Sequence, residues 1–322
     1  MKILLDGYID SNLGDDLMLA LAARGLADNE LYTTSEKLNI ENVRFTGKRR
    51  GYDYCLKVIG SGFLLHNNSG IPYRLREMSE ERRSAKKLAV IGCSLSAFTG
   101  KAAEMVIRRQ LSDYDFITVR DNFSYDYIKK NVPRANCEKY PDMAFSLPDE
   151  WIPDIKSDGM LGISVHNSVS PYMLAAAADG YIEKTGRGVI LMCFNTGAEN
   201  DGLAAENVLK AVRNKDNVEI VRYTTIQNML CNMKRCGVIM GIRLHSIVLA
   251  ARMGIPFVPV SYSEKTTRVL EDINYTGTVY GTDCRGILKS LLLPPPFTLD
   301  TAIINSAKKH IIRFNENINK GR

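Results

Sequence analysis

The residues of this 322-residue chain that could carry acid–base or anion chemistry recur in one kind of place, immediately after a short apolar run. Gly241-Ile242-Arg243-Leu244-His245-Ser246 closes the run CGVIMGI and precedes the apolar segment SIVLAARMG. An imidazole and a guanidinium there would sit where a strand meets a helix N-terminus. The positive helix end favours the neutral imidazole, the form that accepts a proton. The chain has only four histidines; His66 and His166 also follow strand-like runs, and His310 lies in the terminal segment. A lone histidine is more often structural, and the neighbouring Arg243 is what raises His245 above that reading. Arg120 ends DFITVR, and its planar fork suits a carboxylate or phosphate, or a salt bridge with Asp121 or another local acid. Lys265 follows PFVPVSY, either as an anion ligand or as a solvated lysine at a helix start. Arg120, Arg243 and Lys265 together form a cationic set that one placement rule brings to strand ends.

Acidic and glycine-rich turns occupy the matching places earlier in the chain. After the first apolar run comes Ser11-Asn12-Leu13-Gly14-Asp15-Asp16. Two carboxylates in a first helical turn complement the helix dipole, which is reason enough for them to be there. They could also accept hydrogen bonds from sugar hydroxyls or take a proton from one. A phosphate cradle is disfavoured, because the two acids would repel phosphate. Gly60-Ser61-Gly62 follows YCLKVIG but lacks the spacing and the acid of a dinucleotide fingerprint. Asp142, in Tyr140-Pro141-Asp142, reads more simply as a cap than as a base.

The elements that must position these residues alternate. Strand-like runs fall at 2–6, 29–34, 42–47, 54–60, 87–93 and 115–120, then at 160–165, 188–194, 217–223, 236–242 and 256–261. Several are continuous apolar runs, as in strands buried on both faces. Helical patterns lie between them at 15–27, 100–112, 121–131, 170–185, 199–213, 225–235, 244–254 and 263–273. The alternation predicts an α/β fold with parallel sheets and helices on both faces. It pauses at SLPDEWIPDIKSDG, 146–159, which reads as a linker and places one domain at 1–150 and a second at 151–322, closed by a terminal helix. Each half is long enough for a Rossmann-like unit, and ligands of such sheets sit beyond the carboxyl ends of the strands.

Composition narrows the function classes. With 45% apolar and 24% charged residues the chain is ordinary for a globular protein. A net charge of +6 suits an anionic substrate and is weak for a nucleic-acid protein. Seven scattered cysteines, with only Cys231 and Cys236 close together, give no zinc or disulfide framework. The basic stretch 74–87 reads as a solvated helix face or a membrane-surface contact; the tail from Lys308 is basic too and reads as a frayed helix end, while helical spacing over 299–320 (Ile303, Ile304, Ile311, Ile312) gives an apolar face that could dock on either domain. Asp6 and Asp10 interrupt the opening decapeptide where a signal peptide stays apolar, and no apolar run approaches the roughly 18 residues that cross a bilayer. The expectation is a cytoplasmic protein.

Taken in order, these motifs resemble the polysaccharide pyruvyl transferases. The resemblance runs over roughly residues 1–275. It is carried by Asn12-Leu13-Gly14-Asp15-Asp16, Val58 to Gly62, Val119-Arg120-Asp121 with Ser124, Pro141-Asp142-Met143-Ala144-Phe145, Tyr223-Thr224-Thr225, Gly241 to His245, and Ile255-Pro256 through Tyr262 to Lys265. It implies two Rossmann-like domains in a glycosyltransferase-B-like arrangement, 1–150 on the acceptor side and 151–322 on the donor side. It also implies transfer of a pyruvyl group from phosphoenolpyruvate onto two sugar hydroxyls, giving a cyclic ketal and phosphate. Arg120 and Lys265 match donor-binding positions, and Arg243 is our addition to that set. His245 matches the catalytic histidine; Asn12, Asp15 and Asp16 fall to the acceptor side. No metal is implied, and no cofactor beyond phosphoenolpyruvate as donor substrate. The acceptor would be a sugar or lipid-linked oligosaccharide, which would bring the protein to the inner face of the membrane. The sequence departs from the family at Ser61, at the loosely matching Ile91 to Ser96, and at His166-Asn167, where an arginine is more usual. Two other readings use the same residues: a nucleotide-sugar-dependent glycosyltransferase of the same architecture, and a non-catalytic sugar-binding protein.

Overall fold

The computed structural model describes residues 1–60, 70–95 and 100–320; Ser61, Gly62, His66 and Ser96 therefore lie outside the described residues. The chain forms two compact units. Unit 1 comprises Met1–Ile9, Asp15–Ser146 and Asn305–Arg322; unit 2 comprises Asp10–Gly14 and Leu147–Ile304.

In unit 1 the elements run β1 (Lys2–Gly7), α1 (Leu13–Gly25), β2 (Glu30–Thr33), β3 (Val43–Phe45), β4 (Tyr52–Val58), α2 (Ile71–Ser84), β5 (Ala85–Cys93), α3 (Lys101–Asp113), β6 (Phe116–Val119), α4 (Asn122–Asn131) and β7 (Cys137–Lys139). The seven strands are ordered β3-β2-β1-β4-β5-β6-β7, and every pairing is parallel. The order reverses between β1 and β4, so the carboxyl ends of those two strands flank a crevice of the kind where such sheets bind ligands. The long apolar runs are what permit this: Leu88–Cys93 and Phe116–Val119 are buried throughout, as a sheet covered on both faces requires. The stretch 74–87 divides at Ser84, with Ala85–Lys87 already in β5 rather than continuing the helix.

Unit 2 follows with β8 (Met160–Ser164), α5 (Pro171–Thr185), β9 (Val189–Cys193), α6 (Asp201–Ala211), β10 (Val218–Arg222), α7 (Ile226–Arg235), β11 (Cys236–Gly241), α8 (Leu244–Arg252), β12 (Phe257–Pro259), α9 (Glu264–Asp272) and α10 (Ile287–Leu292). Its parallel sheet is ordered β10-β9-β8-β11-β12, so here the order reverses between β8 and β11. Both units are thus Rossmann-like α/β layers. The chain closes with α11 (Thr301–Ala307) and α12 (Lys309–Lys320).

This division moves the boundary from 150/151 to Ser146/Leu147 and differs from the expected 1–150 and 151–322 by two exchanges besides. The terminal helix α12 belongs to unit 1. Phe314 is fully buried there, with ring centroids 5.4 Å from Tyr54 and 6.2 Å from Phe116. His310, also fully buried, bonds Thr118 Oγ1 through Nδ1 (2.6 Å) and the Pro141 carbonyl through Nε2 (2.8 Å). A carbonyl can only accept, so Nε2 carries a proton. Burial lowers the pKa of His310 to about 4, which keeps the ring neutral. The second exchange is the segment Asp10–Gly14. Asn12 forms an antiparallel bridge with Asn195, Leu13 N donates to Phe194 O (2.9 Å), and Thr196 N donates to Ser11 O (3.0 Å).

Among the described residues no helix is long and apolar enough to cross a membrane. Six of the seven cysteines are buried and all are free; burial pushes the thiols of Cys55, Cys137, Cys193 and Cys236 up to about 12, so these are inert core residues.

Candidate functional site

In unit 1 the crevice between the ends of β1 and β4 gathers Asp15, Gly60, Arg120 and Asp142. Asp15 lies in the first turn of α1 and is only 5% exposed. Its carboxyl accepts a hydrogen bond from the Gly60 backbone and faces the Arg120 charge, with Asp16 and Asp142 nearby. Burial outweighs the bond and the cation, and with the two like charges it raises the Asp15 pKa from 3.8 to about 7. Arg120 donates from Nη1 to Asp142 Oδ2 at 2.5 Å, both side chains buried. Asp121, the nearest acid in sequence, is used otherwise. It caps α4 by accepting from Ser124 N (2.8 Å), and it accepts from Ser94 Oγ (2.5 Å). Asp142 in turn accepts from Ala144 N (2.9 Å), so it is both a turn cap and the partner of Arg120. Asp16, half-buried, stands beside Asp15 at the start of α1.

In unit 2 the residues after β11 and β8 converge. Ser164 and Ser246 share a hydrogen bond (2.7 Å), and Ser164 Oγ accepts from Ile242 N (2.8 Å) and Arg243 N (3.1 Å). That knot fixes the strand-to-helix turn from which His245 projects. Arg243 is the N-cap residue of α8, and His245 lies in its first turn. His245 is half-buried, with Nε2 itself shut off from solvent. Its ring lies against the turn at Gly14, near the start of the chain. A Cβ on Gly14 would fall 1.8 Å from His245 Nδ1, so only glycine leaves room for the ring. Asn12, two residues earlier, accepts from Gly14 N through Oδ1 (3.1 Å) and so shapes the same turn.

Arg243 is bound at three points by acids that follow β9. Nε bonds Asp201 Oδ2 (3.2 Å), Nη2 bonds Asp201 Oδ1, and Nη1 bonds Glu199. Asp201 in turn accepts from Asn195 N (2.8 Å), tying the fork to the loop. His166, after β8, stacks on Tyr262 with centroids 4.4 Å apart. Burial and the Arg243 charge lower the His166 pKa to about 4, so it is neutral at physiological pH. Lys265 is half-buried in the first turn of α9.

Each expected site residue therefore sits at a strand's carboxyl end, but the two units divide them. Asp15, Asp16 and Arg120 lie in unit 1; Asn12, Arg243, His245 and Lys265 lie in unit 2. Sequence reasoning missed Asp201 and Glu199, which lie more than 40 residues before Arg243 and carry no local motif that pairs them with it. An acid in the first turn after the strand-like run 188–194 was the available signal. It offered Asp121 or another local acid as the salt-bridge partner of Arg120, whereas the observed partner, Asp142, lies 22 residues away. Among the described residues no group of three or more His, Cys, Asp and Glu side chains is placed to hold a metal ion.

The family model of polysaccharide pyruvyl transferase matches residues 12–264. No curated protein matches the chain in sequence. Among solved structures, a UDP-GlcNAc 2-epimerase from Methanocaldococcus jannaschii, determined with UDP-GlcNAc and UDP, covers 98% of this chain and 100% of its own at 10% identity, with a TM-score of 0.64. A Klebsiella pneumoniae protein of uncharacterised function covers 85% and 89% at 14% identity, with a TM-score of 0.52. A glycosyltransferase from Rickettsia africae covers 99% and 97% at 9% identity, with a TM-score of 0.50. At these identities the likeness is one of fold.

Proposed function

The chain belongs to the polysaccharide pyruvyl transferase family, and from that premise we propose that it moves the pyruvyl group of phosphoenolpyruvate onto two hydroxyls of a sugar in a polysaccharide or its precursor. The product is a cyclic ketal, and phosphate is released. The observation that carries the reading is the seating of the His245 ring on Gly14. It joins two family motifs, far apart in sequence, through a contact that tolerates no side chain at position 14.

The chemistry asks for one acid, one base and fixed cations. The donor methylene gains a proton, which makes the adjacent carbon electrophilic. The first sugar hydroxyl adds to that carbon and loses its proton. The carbon–oxygen bond to phosphate then breaks, and the second hydroxyl closes the ketal and loses its proton. One of the two released protons replaces the proton taken by the methylene, and the other leaves with phosphate. His245 is assigned the first protonation and then the return step as base. Lys265 and Arg243 hold the donor's phosphate and carboxylate, with Arg243 oriented by Asp201 and Glu199. Arg120, oriented by Asp142, is likewise assigned a donor-binding role. Asn12, Asp15 and Asp16 serve the acceptor. A carboxyl with a pKa of about 7 divides its time between acid and base near neutrality, which suits Asp15 to a proton exchange with a sugar hydroxyl.

The test is a thermal-shift titration with phosphoenolpyruvate, run beside nucleotide sugars, on wild type, Lys265→Ala and His245→Gln. A ligand that binds only the folded state raises the melting temperature by mass action. The expected result is a shift with phosphoenolpyruvate that Lys265→Ala weakens and His245→Gln retains. A shift with a nucleotide sugar alone would replace the reading by glycosyl transfer.

A further inference from the structure

Unit 2 contains a cavity of about 320 Å3 lined from the loops after β8 and β9 and from the first turns of α5 and α6. We infer that this cavity is a subsite for one uncharged pyranose ring of the acceptor, an inference that rests on the sugar-modifying activity proposed above. Three features of the lining point to that chemistry.

The first is charge. No lysine or arginine lines the cavity among the described residues, and its one carboxylate, Glu199, is already ion-paired with Arg243. A phosphate or carboxylate entering it would find no cationic side chain in the lining to pair with, whereas an uncharged ring needs none. The second is hydrogen-bonding capacity. Asn167 and Asn207 each offer both donors and an acceptor, as vicinal hydroxyls require. His166 adds a donor of fixed identity: its Nδ1 accepts from Ser168 N (3.1 Å), which leaves the proton on Nε2. Burial keeps that ring neutral, and stacking on Tyr262 holds its plane. The third is an apolar floor, Leu174 and Val208, both buried, on which the C–H face of a sugar ring can rest. The volume lies near the bottom of the range for small-ligand pockets, about 300–1,000 Å3, and so accommodates one ring rather than an oligosaccharide.

The experiment is ligand-observed saturation-transfer NMR with methyl pyranosides of glucose, galactose and mannose, uridine as competitor, and no donor present. The wild-type chain is compared with Asn207→Ala and Ala204→Trp. Ala204 lines the cavity, so tryptophan there would fill it; Asn207 is exposed, so its truncation leaves the fold intact. The expected result is saturation of at least one pyranoside, weakened about five- to tenfold in Asn207→Ala by loss of hydrogen bonds and abolished in Ala204→Trp. Equal saturation in wild type and Asn207→Ala, no saturation at tens of millimolar, or stronger binding by uridine would each overturn the assignment. Pyranoside contact that persists while phosphoenolpyruvate gives no thermal shift would leave the subsite standing and remove the pyruvyl-transfer reading. A phosphoenolpyruvate shift without pyranoside contact would do the reverse.

Discussion

Asp15→Asn should change how the stability of the protein depends on pH, and by an amount the structure specifies. The Asp15 carboxyl titrates near 7 when folded and near 3.8 when not, with burial as the dominant cause. Between those values the folded chain holds a proton that the unfolded chain has lost. The stabilisation from that uptake is full below pH 3.8, declines as pH rises, and is gone above about pH 7. Linkage over the interval from pH 8 to pH 5 amounts to about 3 kcal/mol. Asparagine does not titrate, so the difference in melting temperature between wild type and Asp15→Asn should move in favour of wild type by roughly 4 °C over that interval. The difference is the quantity to read, because wild type alone carries opposing contributions. His310 and His166, both lowered to about 4, contribute stability that is present above their ordinary pKa of 6.5 and lost as pH falls toward 4. Those losses are common to both proteins and cancel. The assay is differential scanning fluorimetry of both proteins in matched buffers from pH 5 to pH 8. A difference that stays flat across the range would refute the argument, because it would mean that the carboxyl ionises as freely inside as outside.

Two further outcomes follow from single contacts in the two units. Gly14→Ala places a Cβ where the His245 ring now lies, forcing the ring to move by about 2 Å to reach van der Waals distance; misplacement of that order should lower phosphate release from phosphoenolpyruvate, measured with a lipid-linked oligosaccharide extract, by about 100-fold or more. Unchanged release would separate His245 from the chemistry. Arg120→Met leaves the buried Asp142 carboxylate without its cation and should cost about 3–5 kcal/mol in urea unfolding, whereas the double variant Arg120→Met/Asp142→Leu should recover much of it. Equal stability of wild type and the single variant would show that the pair is not buried as described.

Much of the fold was legible because continuous apolar runs separated by helical periods leave few topologies open. Leu88–Cys93, Phe116–Val119 and Val189–Cys193 read as doubly covered strands and are so. A parallel sheet then sends its strand ends to one edge, and that rule alone selected Asp15, Arg120, Arg243, His245 and Lys265. The sequence determined these elements and candidates because both depend on local periodicity and on the chain's own direction.

Tertiary structure decided which unit each segment joins and what each charge meets. Periodicity showed that α12 has an apolar face; only the pocket formed by Tyr54, Phe116 and Thr118 shows what that face covers. The turn at Asn12 reads the same whichever sheet it pairs with, and Asn195 settles the matter from far along the chain. Asp201 and Glu199 claim Arg243 across more than 40 residues. Asp15 and Asp16 are identical in type and adjacent in sequence, yet Asp15 lies buried beside Gly60 while Asp16 stays half-exposed. Desolvation and ion pairing depend on which groups the fold brings within a few ångströms, and no local pattern in a sequence encodes that distance.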